Sequence, residues 1–188
     1  QKKGIKMEKT INKFKNQRLR VTLSIMVLSF CTVFLFLSNS ANAQTQISTE
    51  AQLRALSGKN ITGNYILTAD ITLSNSNFTP IKSLSGTFNG NYHVIKNLNI
   101  TATANNVGLI GNLKGSGIIE NLGLVGGTIT ATKQTDVGAL VGVMNNSSQV
   151  TNCYAIGLTI TGKQIVGGLI GEMKGTTSVT NVYSKNIV

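Results

Sequence analysis

The chain has 188 residues, room for one domain and a short extra segment, and combines 41% apolar residues with only 5% aromatic ones, 20 glycines and one proline. That composition excludes a core built on large aromatics and suits stacked short strands of Val, Ile, Leu and Thr. The net charge of +11 is uneven: residues 1–43 hold eight basic groups against Glu8, a balance of +7, and residues 44–188 hold nine against five, a balance of +4. No basic run or basic-aromatic interleave occurs in the second part, so no nucleic-acid partner is expected.

Residues 1–43 have the order of a secretory signal peptide. A basic stretch to Arg20 precedes an apolar run from Val21 to Leu37, then Ser38-Asn39-Ser40 and Ala41-Asn42-Ala43. Cleavage is expected after Ala43, with Met7 as the natural start, which places the mature chain outside the cell as a secreted or surface protein. The membrane is then a partner only through the signal during export. The alternative is an uncleaved anchor at residues 21–37, at the lower length limit for a bilayer crossing. Cys31 leaves with the signal, so Cys153 stands alone in the mature chain, with no intramolecular disulfide or cysteine metal site, and is expected to be a small buried side chain.

Residues 44–63 are expected to form an N-terminal cap and lead-in. Thr49 and Gln52 have capping-box spacing, Gly58 suits a helix stop, and Leu53 and Leu56 share one side of a short helix near Thr49–Ser57. Such a helix needs something to rest on, and the end of a strand stack is the natural place. From Asn64 the pattern turns extended: Tyr65–Thr68, Ile71–Leu73, Thr79–Ile81, Gly86–Phe88 and His93–Ile100, with a turn at Asn89-Gly90-Asn91. The absence of helical periodicity after Gly58 argues against any α/β fold.

A glycine-framed element then recurs: Val107-Gly108-Leu109-Ile110-Gly111, Val137-Gly138-Ala139-Leu140-Val141-Gly142 and Val166-Gly167-Gly168-Leu169-Ile170-Gly171. The closing glycines lie 31 and 29 residues apart, and ten residues after each comes an asparagine: Asn121, Asn152 and Asn181. These belong to an apolar-x-Asn step that also includes Ile95-Lys96-Asn97-Leu98, giving asparagine spacings of 24, 31 and 29. A repeat of this length made of strands and turns indicates a solenoid, in which each coil buries its inward residues against the next. The asparagines are expected at corners, where they tolerate positive φ and can stack their amides. The glycines are expected at bends and close backbone approaches.

These copies resemble the GLUG motif of bacterial secreted and surface proteins, some of them IgA-cleaving metallopeptidases. The lead-in Tyr65-x-Leu67-x-x-Asp70-Ile71-x-Leu73, Thr79-Pro80-Ile81 and Gly86-Thr87-Phe88-Asn89-Gly90 is similar as well. The resemblance covers about residues 47–188, and departs where Lys82 stands in place of a common glycine and where the first unit is shorter. It implies an all-β, single-domain parallel β-solenoid over residues 64–188, wound right-handed. The motif is a scaffold element in proteins of differing activity.

Chemistry-bearing residues are sparse. The glycine elements are followed by strand-like residues rather than by the helix that a phosphate or dinucleotide loop requires. The mature chain holds one histidine, His93, and five separated acids: Glu50, Asp70, Glu120, Asp136 and Glu172. With no zinc-peptidase motif or calcium repeat, no catalytic residue, metal or cofactor is expected; an Asp70–His93 pairing in space is the one arrangement left open. Thr-x-Thr pairs at Thr101/Thr103, Thr128/Thr130 and Thr159/Thr161 resemble the ranks of ice-binding solenoids.

The expected function is a non-catalytic binding or adhesion scaffold, partnered by an extracellular host protein, glycan or surface, or by other domains of the same polypeptide. The alternative is the front part of a larger secreted enzyme, a metallopeptidase or a polysaccharide-active one; ice binding is a minor alternative. The chain stops seven residues past Asn181, before another glycine element, so the natural protein is expected to continue.

Overall fold

The computed structural model describes residues 43–188; the expected signal peptide, its anchor alternative and Cys31 lie outside the described residues. From Gln44 onward the chain winds through three parallel sheets, advancing one strand in each sheet per coil. Coil 1 comprises β1 (Gln44–Ile47), α1 (Glu50–Arg54) and β2 (Asn60–Ile61), and coil 2 comprises β3 (Asn64–Leu67), β4 (Ile71–Thr72) and β5 (Ile81–Leu84). Coil 3 holds β6 (Thr87–Asn89), β7 (Val94–Lys96), β8 (Ile100–Thr101) and β9 (Ile110–Leu113). Coil 4 is β10 (Ile118–Glu120), β11 (Gly123–Val137) and β12 (Val141–Asn145); coil 5 is β13 (Gln149–Thr151), β14 (Tyr154–Val166) and β15 (Ile170–Lys174). The chain ends in β16 (Ser178–Thr180) and β17 (Tyr183–Ile187).

The first sheet runs β1-β3-β6-β10-β13-β16, the second β4-β7-β11-β14-β17 with β8 also on β11, and the third β2-β5-β9-β12-β15. This is a parallel β-solenoid of about four full turns. Like side chains stack in register along its interior. Phe88, Ile119 and Val150 lie over one another on the first sheet, Ile71, Ile95, Leu124 and Ala155 on the second, and Ile61, Leu84, Leu113 and Met144 on the third. All are buried. Each buried large aliphatic contributes roughly 1.5–3 kcal/mol, so the core is a sum of ladders rather than an aromatic cluster.

The stretch 44–63 differs from a mere lead-in, because β1 already pairs with β3 from Gln44↔Asn64 to Ile47↔Leu67. The helix takes the place in coil 1 that a second-sheet strand takes in later coils. Thr49 caps it with the reciprocal Thr49–Gln52 bonds of a capping box. It ends at Arg54 rather than near Ser57, because Leu56 and Ser57 tighten into three-residue turns on Leu53 and Arg54. Leu53 is fully buried, and Gly58, at φ +71°, donates to the Pro80 carbonyl at 2.9 Å. The helix is thereby tied to coil 2.

Left-handed residues mark the corners. Asn121, Asn152 and Asn181 (φ 52–54°) form one column at the exit from the first sheet, and Gly115, Asn146 and Gly175 another at its entry. Asn106, Asp136 and Ile165 occupy the corner between the second and third sheets. The side-chain amides of the first column also form a chain: Asn152 donates to Asn121 at 3.0 Å and Asn181 to Asn152 at 3.2 Å.

Asn97 is not a member of that column. Lys96 pairs with Val125, and Val125 with Ile156, so Asn97 (φ 60°) is level with Gly126 and Gly157, which also have positive φ. The amide below Asn121 belongs to Asn89, at 3.4 Å. The 24-residue spacing therefore joined two different corners that share an apolar-x-Asn pattern. Both corners need a left-handed residue, and asparagine satisfies either.

Candidate functional site

The glycine elements enter the third sheet, and the register there identifies the departure from the repeat. Lys82 on β5 is level with Gly111, Gly142 and Gly171 on β9, β12 and β15. None of the three glycines has a positive φ; space, not bending, requires them. A Cβ at Gly111 would lie 2.7 Å from the Asn106 oxygen, at Gly142 2.5 Å from Asn106 C and Val107 N, and at Gly171 2.6 Å from Val137 N. The corner backbone lies directly over this rank. Gly108 and Gly138 are similarly confined, with Cβ positions 2.9 Å from Gly138 O and 2.7 Å from Gly171 N respectively. Gly167 would meet the Ile170 carbonyl and Gly168 the Ser184 hydroxyl.

At Lys82 the rank is open. The space beside it is a groove of about 480 Å³ across coils 1 to 3, bordered by residues 101–106. Lys82, Lys114 and five asparagines (Asn60, Asn77, Asn105, Asn106 and Asn112) line it together with threonines, Ser83 and the apolar Pro80, Ala102 and Ala104, and no carboxylate, imidazole or thiol does. Among the described residues neither lysine forms an ion pair, while Lys96 and Lys174 do. The groove presents uncompensated positive charge.

Its asparagines are held by their carbonyl oxygens. Asn77 Oδ1 accepts the Thr101 N–H at 2.6 Å, and Asn105 Oδ1 accepts the Thr135 N–H at 3.1 Å. Asn60 Oδ1 accepts from the Ser83 hydroxyl at 2.8 Å, and Asn112 Oδ1 from Asn145 Nδ2 at 2.9 Å. A backbone N–H can only donate, so the first two orientations are fixed chemically. Sequence reading marked Lys82 as a departure but not as a site; its significance needed the register.

The Asp70–His93 pairing does form. Asp70 precedes β4 and His93 precedes β7, one coil on; Asp70 Oδ1 lies 3.1 Å from His93 Nδ1 and accepts the Val94 N–H at 3.2 Å, and Oδ2 lies 3.4 Å from Lys96 Nζ. The Val94 N–H holds the Asp70 carboxyl below its ordinary range, followed by His93 and Lys96. Among the described residues the His93 ring makes no other side-chain hydrogen bond, so no hydroxyl or thiol is positioned for activation by this pair. Its visible work is to join two coils.

Thr101, Thr130 and Thr161 form one rank and Thr128 and Thr159 a second, flanking buried Ile129 and Ile160. Thr103 falls outside both and lines the groove. Cys153 is buried, its Sγ 3.2 Å from the Thr151 carbonyl, and burial pushes its thiol up to about 11. Among the described residues no group of three or more His, Cys, Asp or Glu could hold a metal ion.

No family model matches the chain. It is 30% identical over 142 residues to a protein named halomucin from Haloquadratum walsbyi, across 66% of this chain and 2% of that protein. The chain thus spans about 2% of the length of the curated relative it matches. A crystal structure from Bacteroides ovatus, of a protein assigned as an immunoglobulin A1 protease, aligns with a TM-score of 0.47 and 17% identity, covering 78% of this chain and 67% of that one.

Proposed function

We propose that residues 44–188 are a GLUG-type repeat scaffold, secreted or displayed on the cell surface, that holds a ligand without transforming it. The observation that carries this reading is the lining of the groove. Amides, hydroxyls and two ammonium groups can grip a polar ligand, but no carboxylate or imidazole stands among them to exchange protons with it. The Asp70–His93 pair lies at another corner and is committed to joining coils 2 and 3. The order of residues 1–43 supports export, and similarity to a small fraction of a very long protein supports a modular scaffold.

The test is to incubate the full chain with a panel of polysaccharides and folded host proteins, measuring retention and product release in the same samples. Retention without shortened chains or cleaved peptides is expected. Turnover that co-purifies with the chain, is absent from a mock preparation and is lost on Asp70→Asn would overturn the non-catalytic reading.

A further inference from the structure

We infer that the groove over Lys82 binds a short acidic oligosaccharide, gripping its anionic groups with Lys82 and Lys114 and its hydroxyl and ring oxygens with asparagine NH₂ groups. This rests on the reading of the chain as a binding scaffold and names the ligand class.

The first argument is hydrogen-bond polarity. Asn77 and Asn105 have committed their carbonyl oxygens to backbone N–H groups, whereas the Asn60–Ser83 and Asn112–Asn145 contacts can form with either end of the amide. Asn77 and Asn105 therefore have NH₂ groups with no hydrogen-bond partner among the described residues, in the groove they line. Two ammonium groups that form no ion pair among the described residues make the site favour a ligand rich in acceptors and negative charge. Neutral sugars, which donate as often as they accept, match it less well than uronates or sulfated sugars.

The second argument is spacing and access. Lys114 lies one coil beyond Lys82 and three residues further along the strand direction, because Lys82 is level with Gly111. Strand spacing and rise place their Cα atoms about 11 Å apart. The cations thus suit charges on successive parts of an extended ligand rather than one compact ion.

Other anionic polymers fit less well. β5 is paired on both sides, with β2 and β9, so an acidic peptide finds no free edge to join as a strand. The lining has no aromatic side chain for stacking nucleic-acid bases.

The site is also placed where the repeat permits it. In coils 3 to 5 the rank of Lys82 is glycine, and backbone covers it. Lys82→Gly therefore restores the residue that three later coils already carry, and is a variant expected to fold.

The experiment is an amide-resolved NMR titration of the full chain with trigalacturonate, a chondroitin sulfate tetrasaccharide and neutral maltotriose. The expected result is shifts at Lys82, Asn112 and the 101–106 loop with at least one acidic probe and none with maltotriose. Binding of trigalacturonate shows that carboxylates suffice; binding of the chondroitin probe alone, which carries both carboxylates and sulfates, assigns the sulfates as required. Affinity should drop at least fivefold in Lys82→Gly and in Lys114→Gln, and fall with added salt. Absence of shifts with both acidic probes overturns the proposal, as does equal binding of maltotriose or unchanged affinity in a folded Lys82→Gly. Shifts confined to another face overturn the groove while leaving the scaffold reading intact. Shortened oligosaccharides alongside groove shifts support the groove and overturn the non-catalytic reading.

Discussion

Coil 2 and coils 3 to 5 solve the same packing problem differently. In the later coils the corner backbone lies directly over the third sheet, and only glycine fits at Gly111, Gly142 and Gly171. In coil 2 the level position is Lys82, and a groove of about 480 Å³ takes the place of that contact. The strand ladder is continuous through both regions. A repeat can therefore carry a recess without breaking its hydrogen bonds, provided the change is confined to a rank that the ladder does not use.

The sharpest way to break this comparison is Gly142→Ala. Its Cβ would sit 2.5 Å from the Asn106–Val107 backbone, which cannot rotate away, and a loss of about 3 kcal/mol is expected in urea unfolding. Lys82→Gly at the level position should change stability by less than about 1 kcal/mol. Equal effects of the two substitutions would falsify the claim that backbone covers one rank and leaves the other open.

A smaller effect separates the two asparagine corners. Asn152→Ala leaves φ 53° to a residue without the short polar side chain that lets asparagine tolerate it, and removes bonds to Asn121 and Asn181, for a loss of about 2 kcal/mol. Asn97→Gly should cost less than about 0.5 kcal/mol, since Gly126 and Gly157 already fill its column. If Asn97→Gly proved as costly as Asn152→Ala, the separation of the columns would be wrong.

The column of Asn106, Asp136 and Ile165 suggests a gain. Ile165 is an exposed β-branched residue at φ 50°, where the first coil of the column uses asparagine. Ile165→Asn should raise stability by about 1 kcal/mol, visible as a higher urea midpoint. No gain would mean that Ile165 earns its place by a contact the corner geometry does not reveal.

The smallest effect is on pH at the capped end. The Ser74 hydroxyl first, then Arg54, hold the Glu50 carboxyl at about 2 against an ordinary 4.5. The unfolded chain takes up that proton first, so the contribution is complete above about 4.5 and disappears as pH falls through about 2. Amide protection around Leu53 and Ser74, taken relative to the intrinsic exchange rate at each pH, should fall as pH drops through this window, and Glu50→Gln should remove that fall. Unaltered dependence in that variant would assign it elsewhere.

Sequence alone determined the solenoid. Inward aliphatic residues, corner residues that tolerate positive φ and glycines at crossings must recur once per coil, because each coil packs on a copy of the same surface. The capping box at Thr49 and Gln52 was legible for a similar reason, since it acts within one helical turn. Register was not legible. Apolar-x-Asn occurs at two corners, so Asn97 looked like a partner of Asn121 until Ile95 was found opposite Leu124. Only the tertiary structure placed Lys82 in the glycine rank, brought Lys114 and five asparagines around it, and tied the carbonyl oxygens of Asn77 and Asn105 to backbone N–H groups. Repetition is written along the chain, whereas a recess is defined by what lies across it, and that depends on residues about twenty to thirty positions away meeting between coils.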